Sequence, residues 1–194
     1  MKTGIIRYSA GNVYSVAMAL ERLGESYQVS DDPEVLQACD RIIFPGVGEA
    51  VTALKDLDMK GLTKFIKSYN RPFLGICLGM QILCRDTEEN NARGLGIFNP
   101  KVRKFRGDLK IPHMGWNTLH NMDSLLFSGI PEGSSVYFVH SYYAELSEQS
   151  SSWCNYGKDF SASLEKGNYY GVQFHPEKSG ETGSKILKNF LEKT

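Results

Sequence analysis

Twelve residues, Pro72-Phe73-Leu74-Gly75-Ile76-Cys77-Leu78-Gly79-Met80-Gln81-Ile82-Leu83, restrict this chain more than any others. The first half is short, apolar and opened by a proline, the pattern of a buried strand. The second half, Gly79 to Cys84, spaces its apolar residues for a helix. Between them Cys77 has a glycine two residues away on either side. That spacing is the mark of a nucleophile elbow, a tight strand-to-helix turn. The turn strains the backbone of its central residue. Side chains at the flanking positions would collide with neighbouring main chain, so glycine is required there. The sulfur then lies at the carboxyl end of a strand and the amino end of a helix, where the helix dipole favours thiolate over thiol. A cysteine at a strand end can also be a small buried apolar residue, but packing explains neither flanking glycine.

A nucleophile needs a base and an oxyanion site. Gly171-Val172-Gln173-Phe174-His175-Pro176-Glu177 ends the last strand of the chain. Pro176 biases His175 toward extended backbone, in which His175 and Glu177 share a face. Glu177 can then hold one ring nitrogen while the other faces Cys77, which completes a triad. Taken alone, His-Pro-Glu could equally sit in a surface loop without function. Pro45-Gly46-Val47-Gly48 follows an earlier strand, and its two glycines let backbone amides approach a ligand closely. Val47 N–H is expected to join Leu78 N–H as an oxyanion donor. A peptide between two glycines is easily reoriented, which suits a gate on that donor.

Composition bounds the setting. Lys plus Arg and Asp plus Glu each total 22 in 194 residues, so no global basic excess points to nucleic acid or a membrane surface. The run Lys101-Val102-Arg103-Lys104-Phe105-Arg106 reads as a solvated strand face. The four cysteines form no C-x-x-C pair and the four histidines are scattered, so neither a disulfide framework, a metal nor a cofactor is expected. Free thiols and the lack of an apolar leader or spanning segment point to the cytoplasm.

Along the chain, strands at Gly4–Tyr8, Ser26–Val29 and Arg41–Phe44 alternate with helices at Val13–Leu23 and Pro33–Ala38. Such alternation indicates a central, mostly parallel sheet with helices on both faces. Ligands in these sheets sit at the carboxyl ends of the strands. Asp86 to Gly94 reads as loop. Short strands follow at 96–98, 101–105, 115–119, 135–140, 151–156, 161–164 and 169–174, the last two joined by a hairpin turn at Glu165-Lys166-Gly167-Asn168. A closing helix spans about Thr182 to Leu191. The fold class is therefore α/β, one domain over residues 1–194 with a strand-rich second half.

Taken together, the elbow and His175-Pro176-Glu177 resemble the triad-type, class I glutamine amidotransferases. The segments Phe44–Gly48, Pro112-His113-Met114-Gly115-Trp116-Asn117, Tyr137–Tyr142 and His175–Gly180 narrow the likeness to one branch. Its members are glutaminase subunits that pass ammonia to a separate (β/α)8-barrel cyclase subunit, which closes an imidazole ring in histidine biosynthesis. The resemblance implies that Cys77 attacks the carboxamide of glutamine, with His175 and Glu177 completing the triad. It further implies that Gln81 and Glu89 grip the amino-acid end of glutamine, with Gly46, Gly48, Ser141 and Tyr142 as backbone contacts. Glu89 could instead be a solvated acid. Asn12, Trp116, Asn117 and Lys178 resemble residues facing the cyclase, although Trp116 could be core. Relatives often carry Asp-Tyr-Gly where this chain has Arg7-Tyr8-Ser9, which leaves a paralogous amidotransfer pathway open. A γ-glutamyl cysteine hydrolase and a non-catalytic partner-binding subunit remain as other readings.

Overall fold

A computed structural model describes residues 1–194. The first half runs β1 (Thr3–Ile6), α1 (Val13–Arg22), β2 (Tyr27–Ser30), α2 (Pro33–Gln37) and β3 (Arg41–Gly46). It continues with α3 (Ala50–Met59), α4 (Leu62–Ser68), β4 (Phe73–Cys77) and α5 (Leu78–Leu83). In the second half come β5 (Asp86–Thr87), β6 (Ala92–Arg93), β7 (Lys101–Lys104), β8 (His113–Thr118) and β9 (Ser135–His140). Then follow β10 (Tyr142–Ala144), β11 (Ser150–Asn155), β12 (Asp159–Lys166), β13 (Tyr169–Val172) and α6 (Gly180–Lys193).

Local chemistry explains several boundaries. Asp32 accepts the Glu34 amide at 2.9 Å and Pro33 takes the first position of α2, so that helix starts where a cap and a proline coincide. Gly24, at φ 72°, stops α1 in the left-handed region that glycine enters freely. The expected hairpin joins β12 to β13 with Lys166 opposite Tyr169 and Gly167 at φ 60°. The basic run lies mostly on a strand, Lys101–Lys104, that is paired on both sides, with Arg103 bonded to Glu88 and Glu145.

The main sheet has the order β2-β1-β3-β4-β13-β12-β10-β7-β5-β6, with β11 added against β12. From β2 to β13 every pairing is parallel. From β13 through β12 and β10 to β7 it is antiparallel, which is the strand-rich half. Alternate residues feed opposite layers. Ile5, Ile43, Leu74 and Ile76 join α1 and α6 in one core cluster, while Ile6, Ile42, Phe44 and Phe73 join α2 to α5 in the other. A separate two-stranded ribbon, β8 with β9, carries the His-Met-Gly-Trp-Asn segment.

Two expectations need correction. The segment 86–94 contains the short strands β5 and β6, formed by backbone pairing that its polar side chains do not announce. Residues 96–98 form no strand. No helix is long and apolar enough to cross a membrane.

Candidate active site

The elbow has the geometry its glycines require. Cys77 ends β4 at φ 53° and ψ −110°, a strained conformation costing about 1–3 kcal/mol, and Leu78 begins α5 directly. A side chain at Gly75 would come within 2.9 Å of the Gly79 carbonyl carbon and the Met80 nitrogen. One at Gly79 would run into the Phe44 carbonyl oxygen. Both glycines are therefore required by backbone packed against backbone, which cannot yield as a flexible side chain can.

Sheet order supplies the rest. Strand β13 lies beside β4 in parallel register, Val172 opposite Ile76, so the residues that follow β13 arrive next to Cys77. The His175 amide donates to the Tyr137 carbonyl at 2.9 Å, which ties the loop to β9. Ser179 Oγ donates to the His175 carbonyl at 2.6 Å and accepts the Tyr137 amide at 2.9 Å. His175 Nδ1 lies 2.8 Å from Glu177 Oε1, with both side chains at most 2% exposed. The reason differs from the one expected. His175 itself is extended, but Pro176–Lys178 forms a 3₁₀ turn, entered at the proline, and that turn folds Glu177 back onto the ring.

Burial alone would discharge the His175 ring. The neighbouring Cys77 sulfur and then Glu177 outweigh it and raise the ring to about 10. His175 Nε2 is buried without a hydrogen-bond partner, and Cys77 is the neighbour that does most to keep the ring charged. An imidazolium of this kind is the counter-charge of a thiolate.

Cys77 opens onto a cavity of about 320 Å³, which suits a ligand the size of an amino acid. Its walls include Val47, Gly48, Leu78, Gln81, Glu89, Ser141 and Tyr142, so most residues expected around a substrate converge there. Gly46 does not line it. Gly46 is paired with Cys77 beneath the wall, where a side chain would strike the Tyr8 hydroxyl and the Gly79 nitrogen. Glu89 is held by the Ala50 amide at the start of α3, 2.7 Å away, and so is not simply a solvated acid. Val47 departs from expectation. Its N–H donates to the Ala10 carbonyl at 2.6 Å and is not offered to the cavity. The Leu78 amide, first in its helix, has no carbonyl of that helix to bond.

Away from the cavity, Trp116 is 58% exposed and packs edge-on against Tyr137, so it is not core. Lys178 is exposed and Asn12 half-buried. Asn117 turns its amide inward to His113 and to the Asn155 carbonyl. Four residues near the sulfur carried no role in the sequence reading: Pro112, Val139 and His140 on the wall, and Gln173 behind it. For Gln173 a signal existed, an amide side chain inside an otherwise apolar strand end.

The chain is similar to known proteins along nearly its whole length. The family model described as glutamine amidotransferase class-I matches residues 5–194. Imidazole glycerol phosphate synthase subunit HisH of Bacteroides fragilis (strain YCH46) is 51% identical over 99% of this chain and 100% of its own length. The protein of the same name from Methanosarcina barkeri is 49% identical, over 97% of this chain and 96% of its own. Among solved structures, a glutamine amidotransferase superposes with a TM-score of 0.73 at 20% identity, covering 98% of this chain and 97% of that one. PurLQS from Thermotoga maritima gives 0.70 at 20% identity, covering 98% and 97%.

Proposed function

The chain belongs to the class I glutamine amidotransferase family, and on that premise we propose that residues 1–194 act as the glutaminase subunit of an imidazole glycerol phosphate synthase. It is an enzyme that hydrolyses glutamine to glutamate and ammonia. The observation that carries the site assignment is Cys77, strained at an elbow and opening on an amino-acid-sized cavity, beside a buried His175 bonded to Glu177.

The Cys77 thiolate attacks the side-chain carboxamide carbon of glutamine, and the carbonyl oxygen takes the negative charge. His175, held protonated, gives its proton to the departing ammonia, which leaves a thioester. Neutral His175 then takes a proton from water, whose oxygen attacks the thioester and releases glutamate. Glu177 keeps the ring oriented and balances its charge. Glu89, on the cavity wall, suits the α-ammonium of glutamine. Gln81 lines the same wall, but both hydrogens of its amide are taken by the Tyr142 carbonyl and Gln173, so its part is to shape the pocket and not to bond the α-carboxylate. The Leu78 amide receives the oxyanion. Val47 can join it only after its peptide leaves the Ala10 carbonyl, so the subunit alone turns over slowly. Ammonia passes to a cyclase subunit with a (β/α)8 barrel, the two forming a cytoplasmic heterodimer. Asn12, exposed Trp116, Asn117 and Lys178 belong to the surface that meets it.

Ammonia release from glutamine is expected to fall at least about 10⁴-fold in Cys77→Ala, with thermal unfolding little changed. Turnover retained in that variant would remove the nucleophile assignment. Glutamate release with and without a cyclase subunit tests the gate. Equal rates would leave Val47 no gating role.

A further inference from the structure

Gln173 touches neither the cavity nor the triad acid, yet it is 0% exposed and reaches the reacting atom. Its Nε2 lies 3.6 Å from the Cys77 sulfur. The parallel register that sets Val172 opposite Ile76 puts the next residue of each strand, Gln173 and Cys77, side by side. An amide side chain can present either end to a neighbour, so the question is which end faces the sulfur.

Its hydrogen-bond partners decide this. The Tyr142 carbonyl can only accept, and it lies 2.9 Å from one end of the Gln81 amide, so that end is the NH₂. The same nitrogen is 2.8 Å from Gln173, whose facing atom must then be Oε1. The other end of Gln173, pointing at sulfur, is left as the donor.

An independent chain reaches the same carbonyl from the other side. Asn117 accepts the Thr118 amide at 2.8 Å and donates to the Asn155 carbonyl at 2.9 Å, which fixes its orientation. Its NH₂ faces His113 Nε2 at 3.3 Å, so His113 carries its proton on Nδ1. That proton goes to His140 Nε2 at 3.0 Å, and His140 Nδ1 donates to the Tyr142 carbonyl at 2.7 Å. Every group has one consistent role, and none can be reversed without setting two donors or two acceptors against each other.

We propose that Gln173 is a positioning residue for Cys77: its Nε2–H, oriented by Gln81 from the Tyr142 carbonyl, donates to the sulfur, holding it ionised and aimed at the cavity. Besides His175, the sulfur faces the Val139 carbonyl at 3.9 Å, which accepts from a thiol and disfavours a thiolate. Gln173 is the neutral donor that tips the balance the other way. The titratable groups around the sulfur are His175 with Glu177 behind it, Tyr8 from beyond β1, His140 from β9, and Glu89 and Tyr142 across the cavity. This rests on Cys77 being the nucleophile.

The test is the pH profile of alkylation by iodoacetamide in the full chain without substrate, the Cys77→Ser variant providing the background from the other thiols. Gln173→Met keeps length and loses the donor. Its midpoint is expected to rise by about one pH unit, with alkylation below the midpoint about tenfold slower. Gln173→Glu keeps the shape and the bond to Gln81 but turns an oxygen toward sulfur, so its midpoint should rise at least as far. A purely structural role would leave the midpoint of folded Gln173→Met unshifted, and that variant decides, because a carboxylate beside the sulfur raises the midpoint by its charge alone. For glutamine hydrolysis the loss should fall on kcat rather than KM, because Gln173 is off the cavity wall. An unshifted midpoint in folded Gln173→Met overturns the proposal. Should that variant fail to fold, Gln81→Met releases Gln173 from its clamp, and an unshifted midpoint there overturns it equally. Turnover in Cys77→Ser would instead remove the nucleophile reading itself.

Discussion

His175 and the pair His113–His140 are buried to nearly the same degree, 1%, 3% and 6% exposed, yet they behave oppositely. His175 is raised to about 10, whereas burial lowers His113 to about 4 and His140 to about 3. What differs is the company each ring keeps. His175 faces a sulfur and a carboxylate, which reward its charge. His113 and His140 bond each other, an amide and a backbone carbonyl, which carry no negative charge to offset lost hydration, and the positive His175 lowers His140 further. Burial therefore does not decide a histidine's charge here. A buried ring becomes an acid or a fixed hydrogen-bond link according to whether an anion was buried with it.

Between the two histidine settings, the largest expected effect comes from removing the carboxylate beside His175. Glu177→Gln keeps the shape of the His175 contact and loses its charge. It should lower kcat about 10³-fold, read by ammonium release, and move the ring's NMR titration downward from about 10. A ring that still titrates there would show that Cys77 alone keeps it charged.

A smaller effect concerns stability against pH. His113 and His140 have folded values below the ordinary 6.5, so below that pH the unfolded chain binds protons that the folded chain refuses. Their contribution is intact above about pH 6.5 and is lost as pH falls through about 4 and then about 3. His175 has the opposite sign. Its raised value stabilises the fold below 6.5, and that contribution disappears as pH rises through about 10. Urea unfolding across pH should therefore show an acid slope that survives in Cys77→Ser and an alkaline slope that does not.

The smallest effect tests the link itself. Asn117→Ala removes the donor to His113 Nε2 at the far end of the chain, and about 1 kcal/mol of stability is expected to go with it. His175 should titrate as before. A change there would mean that the two histidine settings are coupled and not merely adjacent.

Much of this site was legible without coordinates, for a definite reason. The elbow and His175-Pro176-Glu177 depend on glycine, proline and spacing, which act within a few residues. Even so, the backbone that joins His175 to Glu177 is a turn where extended chain was expected, because Pro176 opens a turn as readily as it ends a strand. Helices α3 and α4 received no sequence reading, although Ala53, Leu57, Phe65 and Ile66 supply the buried face they needed. His113, His140 and Gln173 were passed over individually, being separated by 27 and 33 positions and given meaning only by one another.

By itself, the sequence determined where the strained corner falls, which residues flank it and that an acid follows the histidine. Those are consequences of short-range sterics, the same in any fold that contains the segment. Only the tertiary structure decided that β13 pairs with β4, that the Val47 amide is engaged by Ala10, and that an amide nitrogen points at the sulfur. These depend on contacts between residues far apart in the chain. A hydrogen bond has a direction only once both of its partners are fixed in space.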